Sequence, residues 1–263
     1  MQKNSLLEKI ENQSLAIRTP VLLNVKNTID SIKPNYDSVK KFKTNIIDWL
    51  KPVIDLTGYH VYPRNGITEG LDWWYNRETR GVNMRDGDYQ WILPKEGVGK
   101  IAYISLPSAI DGDIDLGLAR PNIGKNLCPI ALDLAYVGST RVTKIDIKPE
   151  FAFYSLSKSF GVRNIRTGWI FTKKPDKKLE ALTDSAKYYN YYAQAVAEEI
   201  ISNYDIDYIH KKLYKKQKDL CKLLEFKPSD SVWLATTKHP RFKKFKRGSS
   251  NRICLAGVIN EKT

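Results

Sequence analysis

Cysteine and histidine are scarce in this sequence, and long hydrophobic runs are absent from it. The 263 residues include only three cysteines and three histidines, all widely spaced. An odd and scattered set of cysteines fits neither a disulfide framework nor a zinc pattern. No two histidines have the spacing of metal ligands, so we expect no catalytic metal. No apolar run approaches the roughly 20 residues that a membrane helix needs.

The first eleven residues, MQKNSLLEKIE, lack the apolar core of a signal peptide because charged residues interrupt the apolar ones. We therefore expect a cytoplasmic protein that does not associate with membranes. The composition, 42% hydrophobic and 27% charged, is typical of a folded globular chain.

Positive charge is in large excess, with a formal net charge of +14. Much of it lies in residues 208–224, where apolar residues recur at helical spacing and predict a helix with a solvated lysine face. Residues 241–247, RFKKFKR, interleave aromatic and basic side chains, an arrangement that can bind a nucleic-acid strand. No zinc-finger or RNA-recognition signature accompanies this stretch, so we do not expect nucleic acid to be the main partner.

Short apolar runs separated by turns begin after residue 56 and predict several strands. These cover residues 59–63, 88–93, 100–106, 128–135, 151–155 and 168–172, with a further strand at 252–259. Residues 179–204 and 208–224 show helical spacing. This alternation favours an α/β fold with a mostly parallel sheet and flanking helices. We expect one large domain over residues 56–175 and a smaller α+β domain formed by residues 1–55 and 176–263.

One segment, FYSLSKSFGVRNIRTGW at 153–169, gathers hydroxyl groups and an arginine around a lysine. The planar fork of an arginine can donate two hydrogen bonds to a phosphate. A lysine amine in such a setting can act as a nucleophile. The segment resembles the cofactor-lysine motif of the fold-type I pyridoxal-phosphate enzymes, the aspartate-aminotransferase superfamily of class I and II. The resemblance implies that Lys158 holds the cofactor as an aldimine and that Ser155 and Arg166 bind its phosphate.

A second segment, ALDLAY at 131–136, ends a predicted apolar strand and is similar to the Asp-x-Ala-Tyr of the same family. The resemblance implies that Asp133 pairs with the pyridine nitrogen of pyridoxal 5'-phosphate, so that the ring can accept electrons. It also implies that Tyr136 donates a hydrogen bond to the phenolic oxygen of the ring.

A third segment, YPRNGITEGL at 62–71, places a glycine turn at the start of a predicted helix. The unpaired backbone N–H groups and the dipole at a helix N-terminus favour an anion there. The segment resembles the family's phosphate loop, which implies that Gly66, Ile67 and Thr68 bind the cofactor phosphate.

A fourth segment, SNRICLAG at 250–257, resembles the family's Arg-x-x-x-Ala-Gly strand. By this resemblance Arg252 binds the α-carboxylate of the substrate. One segment departs from the family pattern. The expected asparagine turn is replaced by LPSAIDG at 106–112, where Ser108 is the nearest substitute. By the resemblance an aromatic ring stacks on the cofactor, and Tyr89 and Trp91 are the candidates, each of which could equally belong to the core.

The four segments together imply a pyridoxal-phosphate-dependent aminotransferase that moves an amino group between an amino acid and a 2-oxo acid, with Lys158 shuttling the proton. A lyase or decarboxylase that uses the same cofactor is the alternative. A non-catalytic protein with a basic binding surface is a third hypothesis. The family also implies a homodimer, and the tyrosines at 188, 189, 191 and 192, predicted to lie on one helix, belong either to its interface or to the core.

Overall fold

The computed structural model of the protein describes residues 3–14, 17–32, 39–89, 91–117 and 128–259. The helices are α1 (Lys3–Ser14), α2 (Leu23–Asp30), α3 (Val39–Leu50), α4 (Ile67–Arg77), α5 (Leu156–Ser159), α6 (Lys177–Glu180), α7 (Tyr191–Asn203) and α8 (Tyr208–Leu224). The strands are β1 (His60–Pro63), β2 (Gly81–Asn83), β3 (Lys100–Ser105), β4 (Ile130–Asp133), β5 (Phe151–Tyr154), β6 (Trp169–Thr172), β7 (Lys227–Pro228), β8 (Leu234–Thr237), β9 (Lys246–Arg247) and β10 (Ser250–Cys254).

Six strands form the larger sheet, in the order β1-β6-β5-β4-β3-β2. Strands β2 to β5 pair in parallel, and β6 runs antiparallel to both of its neighbours, β5 and β1. The strands are short and largely apolar, as expected for a parallel sheet with both faces covered. The predicted α/β fold with a mostly parallel sheet is confirmed.

The topology of this sheet brings distant segments of the chain to one edge. Strands β3, β4 and β5 are parallel, so the residues that follow their carboxyl ends lie side by side. Strand β1 has the same direction as β5, and the antiparallel β6 begins at this same edge, where Trp169 pairs with both Pro63 and Tyr154. The turns after β1, β4 and β5 and the turn before β6 therefore meet in space.

Helix α4 packs on the larger sheet and orients the turn that precedes it. Its Trp74 is buried and stacks on Tyr103 of β3, with 6.3 Å between ring centroids. Gly70 of α4 lies so close to β6 that a Cβ atom there would be 3.0 Å from Ile170 Cγ1. This close packing fixes the position of the α4 N-terminus relative to the sheet edge.

The smaller sheet has four strands in the order β7-β8-β10-β9. Helix α1 packs against β10, and Leu6, Leu7 and Ile10 share a hydrophobic cluster with Phe242 and Ile253. Both chain ends therefore contribute to this cluster. The division into two domains with the bounds given above stays a prediction.

Helix α8 spans the predicted residues, and its inward side carries Ile209, Leu213, Cys221 and Leu224, with the lysines outside. None of the described helices combines the length and apolar character that crossing a membrane requires. In the basic stretch 241–247, Phe242 and Phe245 are buried in the hydrophobic cluster between α1 and the smaller sheet.

Two of the predicted elements are wrong, and a third, the strand predicted at 252–259, ends at Cys254. The described residues of 88–93 form no strand, because side chains bond this backbone: Arg247 donates to the carbonyl of Asp88, and Asp88 accepts from the N–H of Tyr89. The helix predicted over 179–204 is interrupted after a π-helical turn at Ala181–Ser185. Helix α7 restarts because the side chain of Asn190 accepts a hydrogen bond from the N–H of Ala193.

The interruption separates the four tyrosines that were predicted to share one helix. Residues 188 and 189 precede α7, whereas 191 and 192 lie in its first turn. Tyr188 is 77% exposed, so it does not belong to the core.

Candidate active site

The glycine turn after β1 contacts the turn before β6 at the edge of the larger sheet. Gly66 has a φ of +88° and precedes α4 without any side-chain cap, so the first N–H groups of the helix are open to a ligand. Arg166 Nη2 donates to the carbonyl of Asn65 at 2.7 Å. A Cβ atom on Gly66 would lie 2.6 Å from that same nitrogen. The arginine thus lies directly against the helix N-terminus, an arrangement that suits an anion.

Gly168 allows this approach. A Cβ atom there would lie 2.5 Å from the carbonyl carbon of Gly66, and the carbonyl of Gly168 accepts a hydrogen bond from the N–H of Arg64 at 2.7 Å. The two turns are therefore in backbone contact, and only glycine fits between them.

Lys158 lies in α5, the single helical turn that begins after the buried Ser155. Its Nζ donates to the hydroxyl of Tyr136 at 3.2 Å and lies 4.3 Å from the centroid of the Tyr136 ring. The sheet thus brings together a lysine and a tyrosine that are 22 residues apart, because β4 and β5 are parallel neighbours.

Tyr89 connects the lysine with the glycine turn. Its hydroxyl is 3.1 Å from Thr68 Oγ1, and its ring centroid is 5.9 Å from Lys158 Nζ. Burial raises the pKa of the Tyr89 hydroxyl, which stays protonated as a hydrogen-bond donor at neutral pH. Trp91, the other aromatic candidate, is 68% exposed. The position of Tyr89 beside Lys158 favours it as the stacking ring.

Asp133 ends β4 and is 2% exposed. One carboxylate oxygen accepts from the hydroxyl of Tyr103 at 2.7 Å, and the other accepts from the N–H of Ala135 at 2.7 Å. Burial raises the pKa of this carboxyl, while the hydrogen bond from Tyr103 and the charge of Lys158 oppose the rise. Tyr103 is a residue that the sequence reasoning missed.

Arg252, on β10 of the smaller sheet, contacts the loop that follows β3. It donates to the carbonyl of Ala109, whose N–H in turn donates to Ser105 Oγ at 2.8 Å. Ser105 lies at the end of β3 and donates to Asp88. Arg252 and Tyr89 both line one cavity of about 610 Å³.

Ser108 takes no part in the contacts around Lys158. Its Oγ accepts from Arg85 Nη2 at 3.4 Å and from the N–H of Ile110 at 3.1 Å. The serine at the position of the missing asparagine is thus engaged within its own loop and with Arg85.

Solved structures with the same architecture are similar to this chain over nearly its whole length. An aminotransferase from Staphylococcus aureus has a TM-score of 0.63 and 15% identity, covering 90% of this chain and 86% of its own. An aspartate aminotransferase from Thermotoga maritima has a TM-score of 0.61 and 13% identity, covering 97% and 92%. The chain has the fold of the type I pyridoxal-phosphate enzymes.

Not every protein with this aminotransferase fold is an aminotransferase. A C-S lyase from Staphylococcus hominis, solved with pyridoxal phosphate bound, has a TM-score of 0.63 and 12% identity to this chain, covering 91% of it and 86% of the lyase. No protein-family model and no curated protein matches the sequence. The similarity therefore establishes the aminotransferase fold and does not distinguish transamination from a lyase reaction.

Replacement of Tyr103 by phenylalanine is expected to make the stability of this aminotransferase-fold protein more sensitive to pH. Burial raises the pKa of Asp133 in the folded protein above the value of about 3.9 in the unfolded chain. Below that unfolded-state pKa, protonation of Asp133 contributes its full amount to stability. That contribution is lost as the pH rises through the folded-state pKa. Without the Tyr103 donor this pKa rises further. Urea unfolding should show a loss of about 1.5–3 kcal/mol at pH 7.5 and a smaller loss at pH 4.5.

Replacement of Tyr59 by phenylalanine is the matched control. The Tyr59 hydroxyl donates to the carbonyl of Pro149, which is uncharged at every pH. Its removal should lower the free energy of unfolding equally at both pH values. An equal loss at both pH values in the Tyr103 variant would show that its hydroxyl does not stabilise the ionised form of Asp133.

Proposed function

We propose that this protein is a pyridoxal-phosphate-dependent aminotransferase that moves an amino group from an amino acid to a 2-oxo acid. The observation that carries the proposal is the convergence of Lys158, Tyr136 and Asp133 with the Arg166–Gly66 contact at one edge of the sheet. An amine, a buried carboxylate and an anion site are the groups that the cofactor requires.

The anion site fits the phosphate of the cofactor. It combines the uncapped N-terminus of α4 with the guanidinium of Arg166, which is exposed to a ligand apart from its contact with the turn. Backbone N–H groups and an arginine fork together suit a phosphate group. Thr68 Oγ1 lies at the same helix end, and Ser155 at the start of α5 is a further candidate donor to the phosphate.

The opposite part of the site fits the ring of the cofactor. Asp133 is a buried carboxylate that would pair with the pyridine nitrogen, Tyr136 would donate to the phenolic oxygen, and Tyr89 would stack on the ring. When bound, the cofactor supplies an electron sink for the pair of electrons left at the substrate α-carbon.

The residues of the chain perform the remaining tasks. Lys158 would hold the cofactor through its Nζ until the amine of the substrate takes its place there. The freed Nζ would then move a proton at the α-carbon, as general base and then as general acid. Tyr136 holds that Nζ by the hydrogen bond of 3.2 Å. Arg252 binds the α-carboxylate and so positions the α-carbon beside Lys158.

A pyridoxal-phosphate lyase or decarboxylase acting on amino acids is the second candidate. It is supported by the C-S lyase from Staphylococcus hominis, which has a similar fold at the same TM-score as the aminotransferase from Staphylococcus aureus. The same residues serve both reactions, because the orientation of the substrate decides which bond to the α-carbon breaks. A non-catalytic basic binding protein is less well supported, since Phe242 and Phe245 of the basic stretch are buried and not free to stack on bases.

The test is to add pyridoxal phosphate to the purified protein and record the visible absorbance before and after borohydride. After unbound cofactor has been removed, we expect a band that borohydride abolishes and a cofactor that is then covalently attached to the denatured chain. Amino acids are then supplied with and without 2-oxoglutarate. A transaminase forms glutamate in an amount equal to the 2-oxo acid product, whereas a lyase releases ammonia and a decarboxylase releases carbon dioxide without the acceptor. Failure to take up the cofactor would contradict both candidates.

A further inference from the structure

The cavity beside Tyr89 and Arg252 has a strong excess of positive charge. Five cationic side chains line its volume of about 610 Å³: Arg85, Lys244, Lys246, Arg247 and Arg252. Among the described residues, the acidic ones that line it are Asp86 and Asp88. Such a lining concentrates anions, because low-dielectric walls strengthen the field of the enclosed charges.

Some of these cations form ion pairs with carboxylates. Two of the arginines form none with a described residue. Lys244 forms an ion pair with Glu11 at 2.6 Å, and Arg85 pairs with Asp88 at 3.5 Å. Arg247 and Arg252 donate only to backbone carbonyls among the described residues. Both guanidinium groups are half-buried in one cavity, and neither forms an ion pair with a described carboxylate, although the charge of Asp88 raises the pKa of Arg247.

The position of Arg247 is fixed by the segment that carries Tyr89. Its Nη1 donates to the carbonyls of Gly87 at 3.1 Å and Asp88 at 2.9 Å, and no contact to a described residue occupies Nε or Nη2. Burial lowers the pKa of Arg247, and the charge of Arg252 lowers it further. Two cations that repel each other in a shared cavity leave a place for an anion between them.

We propose, on the basis of the proposed function, that the substrates carry a second anionic group on their side chain and that Arg247 binds it while Arg252 binds the α-carboxylate. Arg247 is then the residue that determines specificity. A guanidinium suits this task because its fork donates to two oxygens of a carboxylate or of a phosphate. A neutral amide of the same shape would leave the charge of Arg247 uncompensated.

The test compares L-glutamate with L-glutamine and L-aspartate with L-asparagine as amino donors, in the wild type and in Arg247→Met. We expect the acidic donors to have the higher kcat/KM in the wild type. The substitution should lower kcat/KM for the acidic donors about 10- to 100-fold and change it less than about threefold for the amides. O-phospho-L-serine as a third donor distinguishes a phosphate from a carboxylate.

Lys243→Met is the matched control, since it removes one charge from the same basic stretch. Lys243 is exposed and does not line the cavity. Its substitution should leave the ratio of acidic to amide activity unchanged. Arg247→Lys keeps the charge but loses the fork, and should fall between the wild type and Arg247→Met. If Arg247 only supports the Gly87–Asp88 segment, all donors will lose activity alike, which would overturn the inference.

Calorimetric titration gives a readout without turnover. Succinate and butyrate are titrated into the cofactor-saturated protein, and we expect succinate to bind at least about tenfold more tightly, with the difference lost in Arg247→Met. A protein that takes up the cofactor but binds both acids equally would overturn this inference and leave the proposed function intact. A protein that takes up no cofactor would overturn the proposed function itself.

Discussion

Lys158→Ala will lose both the visible cofactor band and amino-transfer activity, with a fall in kcat of about 10³-fold or more. The physical reason is that Lys158 provides the only amine, among the described residues, that donates to the Tyr136 hydroxyl and lies beside the Tyr89 ring. The variant lacks this amine. No neighbouring group can then attach the cofactor or move the α-proton. Absorbance spectra and steady-state kinetics on the same preparation measure both losses.

Lys174→Ala is the control for this experiment, because Lys174 is an exposed lysine in the loop after β6. It should keep the band and the activity of the wild type. A Lys158 variant that is folded by circular dichroism and still gains the mass of the cofactor on its denatured chain after borohydride reduction would show that another lysine carries the cofactor. The assignment of Lys158 would then be wrong.

Gly168→Ala is expected to destabilise the fold and to weaken cofactor binding. The new methyl group would lie 2.5 Å from the carbonyl carbon of Gly66, so the two backbone turns must separate. Overpacking of this kind costs about 1–3 kcal/mol, which lowers Tm by several degrees. The separation also moves Gly66 away from Arg166, so we expect the affinity for pyridoxal phosphate to fall about tenfold. Thermal unfolding and a cofactor titration measure the two effects.

Gly58→Ala is the control for this experiment. It introduces backbone strain at a glycine without the steric contact that Gly168→Ala creates. Gly58 has a φ of +84° and no atom within 4 Å of an added Cβ. Its substitution should cost about 1 kcal/mol through backbone strain alone and leave cofactor affinity unchanged. Normal cofactor affinity in the Gly168 variant would contradict the close contact of the two turns as the basis of the anion site.

Two departures from the sequence-based expectations have different causes, one a side-chain contact over a long sequence distance and the other a local change of backbone direction. Residues 88–93 contain an apolar run typical of a strand, but Arg247, about 160 positions further along the chain, donates to the carbonyls of Gly87 and Asp88 where that strand would begin. The helix predicted after residue 179 has suitable apolar spacing throughout. A cap by Asn190 and a left-handed Lys187 nevertheless divide it.

The sequence by itself determined the α/β fold and the types of chemical group available, because strand periodicity, glycine turns and the spacing around Lys158 are local properties of the chain. Only the tertiary structure decided which further groups act with them. Tyr103 reaches Asp133 because β3 and β4 pair in parallel and place them diagonally on one face of the sheet. Arg247 joins Arg252 at the cavity because the smaller sheet packs against the segment around Asp88. Such contacts depend on strand order and register, which sequence spacing does not specify.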